Sequence, residues 1–212
     1  MTIRNFETPG MWTDRTGRVF AASTWFRPPR SSSASRRLDA AAVALTEVGA
    51  RGQALDERVL RVLRTRWHEP ALERAVVRFS CLGEHSRLWV SLALAGAACD
   101  RPHRPLYTRL LVTLVATEVV NALLKVGIDR PRPSLPGLSP LMSSRSAQSC
   151  PSAHAATSFA AARLLSRALP APPVYLAAAA MALSRPYVGV HYPSDVLAGV
   201  ALGTAVAGIG ST

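Results

Sequence analysis

Lysine is almost missing from this chain. Of 25 basic residues in 212, only Lys125 is a lysine; every other is arginine. A chain that avoids the residue elsewhere keeps it at 125 for a site-specific reason, and a compact ammonium in a phosphate pocket would give one. Acidic residues are also few, 13 in all, which leaves a net charge of +12. Such an excess invites a nucleic-acid partner, but its distribution argues against one. Many arginines cluster in the N-terminal third or flank apolar runs, the pattern of contacts with lipid headgroups. Cysteine is limited to Cys81, Cys99 and Cys150. That odd number, without metal-ligand spacing, argues against a disulfide framework or a metal site. Residues 1–50 offer no sustained apolar core followed by a cleavage site, so no secretory signal is expected.

The remaining pattern divides the chain into three parts. Residues 1–37 carry Pro28, Pro29, the serines 31–33 and scattered charge, and read as a poorly ordered extension. Residues 38–84 turn helical and amphipathic, with Val59, Leu60, Val62 and Leu63 set among arginines and Pro70 dividing the stretch. Too many charges interrupt it for a span, so interfacial helices are expected there. Residues 85–212 hold apolar segments near 86–99, 106–126, 154–168, 173–190 and 194–210. Of these, 106–128 has about the 20 residues a bilayer requires. The others are shorter and rich in alanine and glycine, and each alone would suit a soluble core. As a series with tight connections they predict an all-α, compact multi-span bundle in the membrane, packed through small residues. Glu118 lies inside the best span, seven residues before Lys125 and near the same helical face. A carboxylate at that depth is expected to face the bundle and pair with a cation, or to tune Lys125.

Three short clusters carry the chemistry: KVGIDRPRP at 125–133, PSAH at 151–154 and SRPYVGVHYPSD at 184–195. In the first, Lys125 and Arg132 are separated by six intervening residues, and Pro131 and Pro133 stiffen the backbone around Arg132. Taken alone, they would be helix-end dipole partners or headgroup anchors. In the second, Pro151 fixes the approach, Ser152 can cap a helix, and Ala153 and His154 begin it. Free backbone N–H groups at such a helix start favour an anion. In the third, Pro193 suits the first helical position, leaving His191 on the connection and Asp195 in the first turn. The helix dipole alone would account for Asp195 there. The functional account is that its carboxylate keeps one imidazole nitrogen protonated and the other free as nucleophile.

These residues resemble the three motifs of the type 2 phosphatidic acid phosphatase (PAP2) superfamily: K-x6-R-P, P-S-G-H and S-R-x5-H-x3-D. Order and internal spacing agree over roughly residues 85–210, with Ala153 in place of the usual glycine. The resemblance implies a membrane phosphatase. His191 forms a phosphohistidine, Asp195 orients it, and His154 protonates the leaving oxygen. Lys125, Arg132, Ser152, Ala153 and Arg185 hold the phosphate. It implies no metal and no cofactor, the three protein cations serving instead. The methyl of Ala153 is expected to alter the fit of the pocket. The arginine- and alanine-rich composition is similar to actinobacterial members. Polyprenyl-linked phosphates such as decaprenylphosphoryl-5-phosphoribose therefore come before glycerophospholipid phosphates as expected substrates. A vanadium haloperoxidase uses the same constellation but is generally larger and soluble, and a non-catalytic lipid-binding protein would not need both histidines and Asp195.

The implied partners are a lipid phosphate and the bilayer of the cell (plasma) membrane, crossed several times, with no nucleic acid and no oligomeric state inferred. All three clusters should lie on one membrane face. Arg101, Arg104, Arg163 and Arg167 mark the other face as cytoplasmic, whereas the arginines of the N-terminal region argue the reverse. The balance drawn here is toward a cytoplasmic-facing site.

Overall fold

In the computed structural model, residues 11–13, 19–21, 33–66, 69–144 and 146–209 are described, with side chains from residue 47 onward except residue 48. The chain divides into two compact units, Met1–Gly49 and Ala50–Thr212. In the first, strand β1 (Met11–Thr13) pairs antiparallel with β2 (Val19–Ala21), and helix α1 (Ser33–Thr65) begins. Most of the extension expected at 1–37 lies outside the described residues. The expected boundary after residue 37 falls inside α1.

The second unit is helical throughout its described regular elements. From residue 50, α1 buries Asp56, Leu60 and Arg64, a four-residue repeat that defines one helical face. Helix α2 (Pro70–Leu82) opens on Pro70, where the missing N–H is no loss, and stops at Gly83. Then come α3 (Arg87–Cys99), α4 (Arg104–Ile128), α5 (Ala153–Leu165), α6 (Ala171–Tyr187) and α7 (Pro193–Gly208). These five match the five predicted apolar segments.

Nearly every residue of α5 is buried, and α4, α6 and α7 pack around it. Alanines 160–162 with Leu164 and Leu165 meet Trp89, Leu110 and Leu114 in the main apolar core. The α5–α7 contact is close because α7 presents Gly199 and Gly203 to it. A Cβ at Gly203 would collide with the carbonyl of Ala156, and one at Gly199 with the carbonyl of Ser152. Small residues four apart let helix backbones approach in this way.

Burial runs opposite to that of a water-soluble bundle. Thr117, Asn121, Ser158, His191 and Asp195 are inside, while Val115, Leu123, Leu176 and Leu197 are 66% to 70% exposed. Exposed apolar surface on this scale suits hydrocarbon, and several of the interior polar groups are paired with one another. Trp89 donates its indole N–H to Ser158 Oγ at 2.8 Å, and Asn121 Nδ2 donates to the Pro151 carbonyl at 3.2 Å. Residues Arg101–Ile128, with mean hydropathy 1.8, are long and apolar enough to cross a membrane; Pro193–Gly208 is apolar but shorter. Helix alternation puts the C-terminal ends of α4 and α6 and the N-terminal ends of α5 and α7 together at one end of the bundle.

Candidate active site

The three clusters converge at that end on a cavity of about 200 Å³. Lys125 comes from the last turn of α4, Arg132 from the connection after it, Ala153 and His154 from the first turn of α5, Arg185 from the last turn of α6, and His191 from the α6–α7 connection. All six line the cavity. Ser152 and Asp195, both fully buried, stand behind the wall. Ser152 Oγ caps α5 by accepting from the Ala155 N–H at 3.5 Å, and its own N–H donates to the Asp195 carbonyl at 2.9 Å. That bond ties the start of α5 to the start of α7. Ala153 begins α5, a conformation that needs no glycine.

The tautomer of His191 follows from its neighbours. Arg132 Nη1 lies 3.2 Å from His191 Nε2. A guanidinium only donates, so Nε2 is unprotonated and accepts with its lone pair. The proton then sits on Nδ1, 3.6 Å from Asp195 Oδ2. That separation is longer than a hydrogen bond, as catalytic contacts often are before substrate binds. Asp195 is held from elsewhere: Oδ2 accepts from the Tyr192 N–H at 2.8 Å, and Oδ1 from Arg130 at 2.7 Å. Burial pushes the His191 pKa down to about 4, against the pull of Asp195. The ring is therefore neutral at physiological pH.

His154 is set up differently. Its Nε2 lies 3.2 Å from the Ser80 carbonyl, which only accepts, so this nitrogen carries a proton. Glu84 Oε1 is 3.7 Å from the same nitrogen. One imidazole is thus arranged as lone-pair donor and the other as proton donor.

The cations meet oxygen atoms of a connecting loop. Lys125 Nζ donates to Ser146 Oγ at 3.3 Å and to the Gln148 carbonyl at 3.1 Å. Arg132 donates to the Ser146 carbonyl at 2.7 Å and to its hydroxyl at 3.1 Å. Arg185 donates to Ser80 Oγ at 2.7 Å, with Glu84 3.9 Å away. Among the described residues, no carboxylate hydrogen-bonds to any of the three. Apart from the Arg185–Glu84 ion pair, their charge is left for an anion.

Sequence reasoning missed Ser80, Glu84, Asp56 and the role of Arg130. Glu84 closes the cavity from the α2–α3 side, where Gly83 lets the backbone pass against the His154 ring, and Ser80 holds Arg185 and His154 from α2. Arg130 bridges Asp195 to Asp56. Its pKa lies above the ordinary value: burial works against the charge, and the two carboxylates outweigh it. Glu118 lines the cavity and accepts from Ser86 Oγ at 2.9 Å, a hydroxyl where a cation was expected.

An all-helical bundle with an apolar exterior, and a pocket combining an imidazole with an unprotonated Nε2, an imidazole whose Nε2 bears its proton, and three cations, define a membrane phosphoric-ester hydrolase. Comparison with known proteins agrees. The PAP2 superfamily profile matches residues 106–211, and the chain belongs to that superfamily. Decaprenylphosphoryl-5-phosphoribose phosphatase of Mycobacterium tuberculosis (strain H37Rv) is 42% identical over 131 residues, 61% of this chain and 73% of that protein. The enzyme of the same name from Mycolicibacterium smegmatis is 39% identical over 120 residues, 57% and 67%. Among solved structures, a transmembrane PAP2-type phosphatidylglycerolphosphate phosphatase from Bacillus subtilis superposes with a TM-score of 0.62 at 25% identity, over 74% of this chain and 82% of that one. Aquifex aeolicus LpxE shares the fold at 0.62 and 24% identity, over 71% and 90%. The chain is a membrane protein and a phosphatase.

Proposed function

We propose that this phosphatase removes phosphate from a polyprenyl-linked phosphate ester at the plasma membrane, with decaprenylphosphoryl-5-phosphoribose the first substrate to test. The observation that carries the reading is the unprotonated Nε2 of His191 in a cavity lined by Lys125, Arg132 and Arg185. The mycobacterial relatives supply the choice of lipid.

His191 Nε2 attacks phosphorus, and the bond to the ester oxygen breaks. His154, an imidazolium once the phosphate anion is bound with Glu84 nearby, gives a proton to that oxygen, releasing the alcohol and leaving a phosphohistidine. Asp195 balances the positive charge on the His191 ring. Lys125, Arg132 and Arg185 stabilise the phosphoryl oxygens, where charge develops. The N–H of Ala153 and the capped start of α5, set by Ser152, add partial positive charge. His154 then takes a proton from water, which attacks phosphorus. Inorganic phosphate leaves and both imidazoles are restored. In this reading α3 to α7 cross the bilayer, residues 85–212 form the core, and α1 and α2 lie at the interface.

A phosphate-release panel tests it, comparing decaprenylphosphoryl-5-phosphoribose, prenyl diphosphates, phosphatidate and phosphatidylglycerol phosphate. The polyprenyl ester should be preferred, His191→Ala should lose activity by at least about 10³-fold, and EDTA should have no effect. Equal release by the wild type and His191→Ala would overturn the assignment.

A further inference from the structure

Asp56 belongs to α1, fifty residues before the superfamily match begins, yet it touches the machinery that holds His191. Arg130 is the link. One of its terminal nitrogens donates to Asp195 Oδ1 at 2.7 Å. The other donates to Asp56 Oδ2 at 2.7 Å and to Gln53 Oε1 at 2.6 Å. The guanidinium lies over the Tyr192 ring, 4.2 Å from its centroid. Asp56 has a second hold. Its Oδ1 accepts from the Ser194 N–H at 2.9 Å, and its Oδ2 accepts from the Ser194 hydroxyl. Asp56 therefore grips both the arginine that binds Asp195 and the residue next to Asp195 in the chain.

We propose that Asp56 is a positioning residue for the hydrolysis, fixing the Asp195 carboxylate, and through it the His191 ring, by way of Arg130. The inference rests on reading His191 as the nucleophile. The geometry distinguishes positioning from mere attachment of α1. Attachment would need only the contacts with Ser194; the bridge through Arg130 to Asp195 serves no such purpose. With Oδ1 of Asp195 pinned by Arg130, Oδ2 alone is left to face His191 Nδ1. Without Asp56, Arg130 has only one carboxylate to bind and can draw Asp195 away from the imidazole. A guanidinium suits the bridging role because its planar fork offers separate donors to two acids.

The test is steady-state kinetics on purified full-length protein, with thermal stability measured in parallel. Asp56→Asn should lower kcat about 10-fold with KM changed less than about 2-fold, and Asp56→Glu should recover part of the loss. In the Arg130→Gln background, Asp56→Asn should cost little more, because both changes break one path. A lower Tm with unchanged kcat in Asp56→Asn, or full additivity with Arg130→Gln, would overturn the proposal. Should Asp56→Asn fail to fold, Arg130→Lys decides: it keeps the charge but not the fork, and wild-type kcat would refute the bridge. His191→Ala run alongside separates the readings. Activity in that variant defeats the nucleophile assignment, whereas an inactive His191→Ala with a fully active Asp56→Asn defeats only the positioning role.

Discussion

Burial around His191 sets the pH range in which that residue can act. A solvated imidazole titrates near ~6.5, but here the charged form is disfavoured and the pKa falls to about 4. The neutral form consequently persists well into acid. The acid limb of kcat/KM due to His191 is expected near pH 4, once the substrate's own ionisation near ~6 is factored out. A limb assigned to His191 at 6.5 would refute the buried, Asp195-backed environment. The same shift bears on stability. Between about pH 6.5 and 4 the unfolded chain binds a proton on this residue that the folded chain does not, so this group's contribution to stability falls as pH drops through that window.

Helix contacts explain why residues so far apart in sequence hold one geometry. The Gly199 and Gly203 face of α7 lies directly on the first turns of α5, so the spacing of these two helices also sets the spacing between the two histidine-bearing segments. Gly203→Val should force the helices apart, at a cost of about 1–3 kcal/mol, lowering both Tm and kcat. Gly127→Ala on α4, where an added Cβ meets nothing within 4 Å, should be neutral or slightly stabilising. Differential scanning fluorimetry in detergent with parallel activity assays checks both. The helices themselves were legible in the sequence because each motif sits beside an apolar run bounded by proline or charge. The cross-chain partners were not. Asp56 lies in a stretch that reads as a solvated amphipathic face, and nothing in its spacing points to Arg130, 74 residues away. Ser80 acts partly through its carbonyl, a group every residue has. Glu118 was readable as inward-facing but not as the partner of a hydroxyl, since the identity of a buried partner depends on which helix packs there.

On the scale of the whole molecule, alternation of the helices puts the two ends of the bundle to different uses. The cavity occupies one end; the α3–α4 turn, with exposed Cys99, and the C-terminal end of α5, with Arg163, occupy the other. Helix α4 has 25 residues, about 37 Å at ~1.5 Å per residue, enough to separate these ends by a bilayer core. In cells whose protein lacks Cys81 and Cys150, an impermeant maleimide should reach Cys99 from the membrane side opposite to a cysteine placed in the 134–150 loop. Labelling of both from one side would exclude a bundle that crosses between them.

The bond from Asp56 to Ser194 joins residues separated by 138 positions. During synthesis, the helix carrying Asp56 leaves the ribosome long before α7 exists. Until α7 docks, Arg130 has no Asp195 to bind, and the start of α5 lacks the Asp195 carbonyl that holds the Ser152 N–H. The cavity end of the bundle is therefore complete only once the last helix is in place.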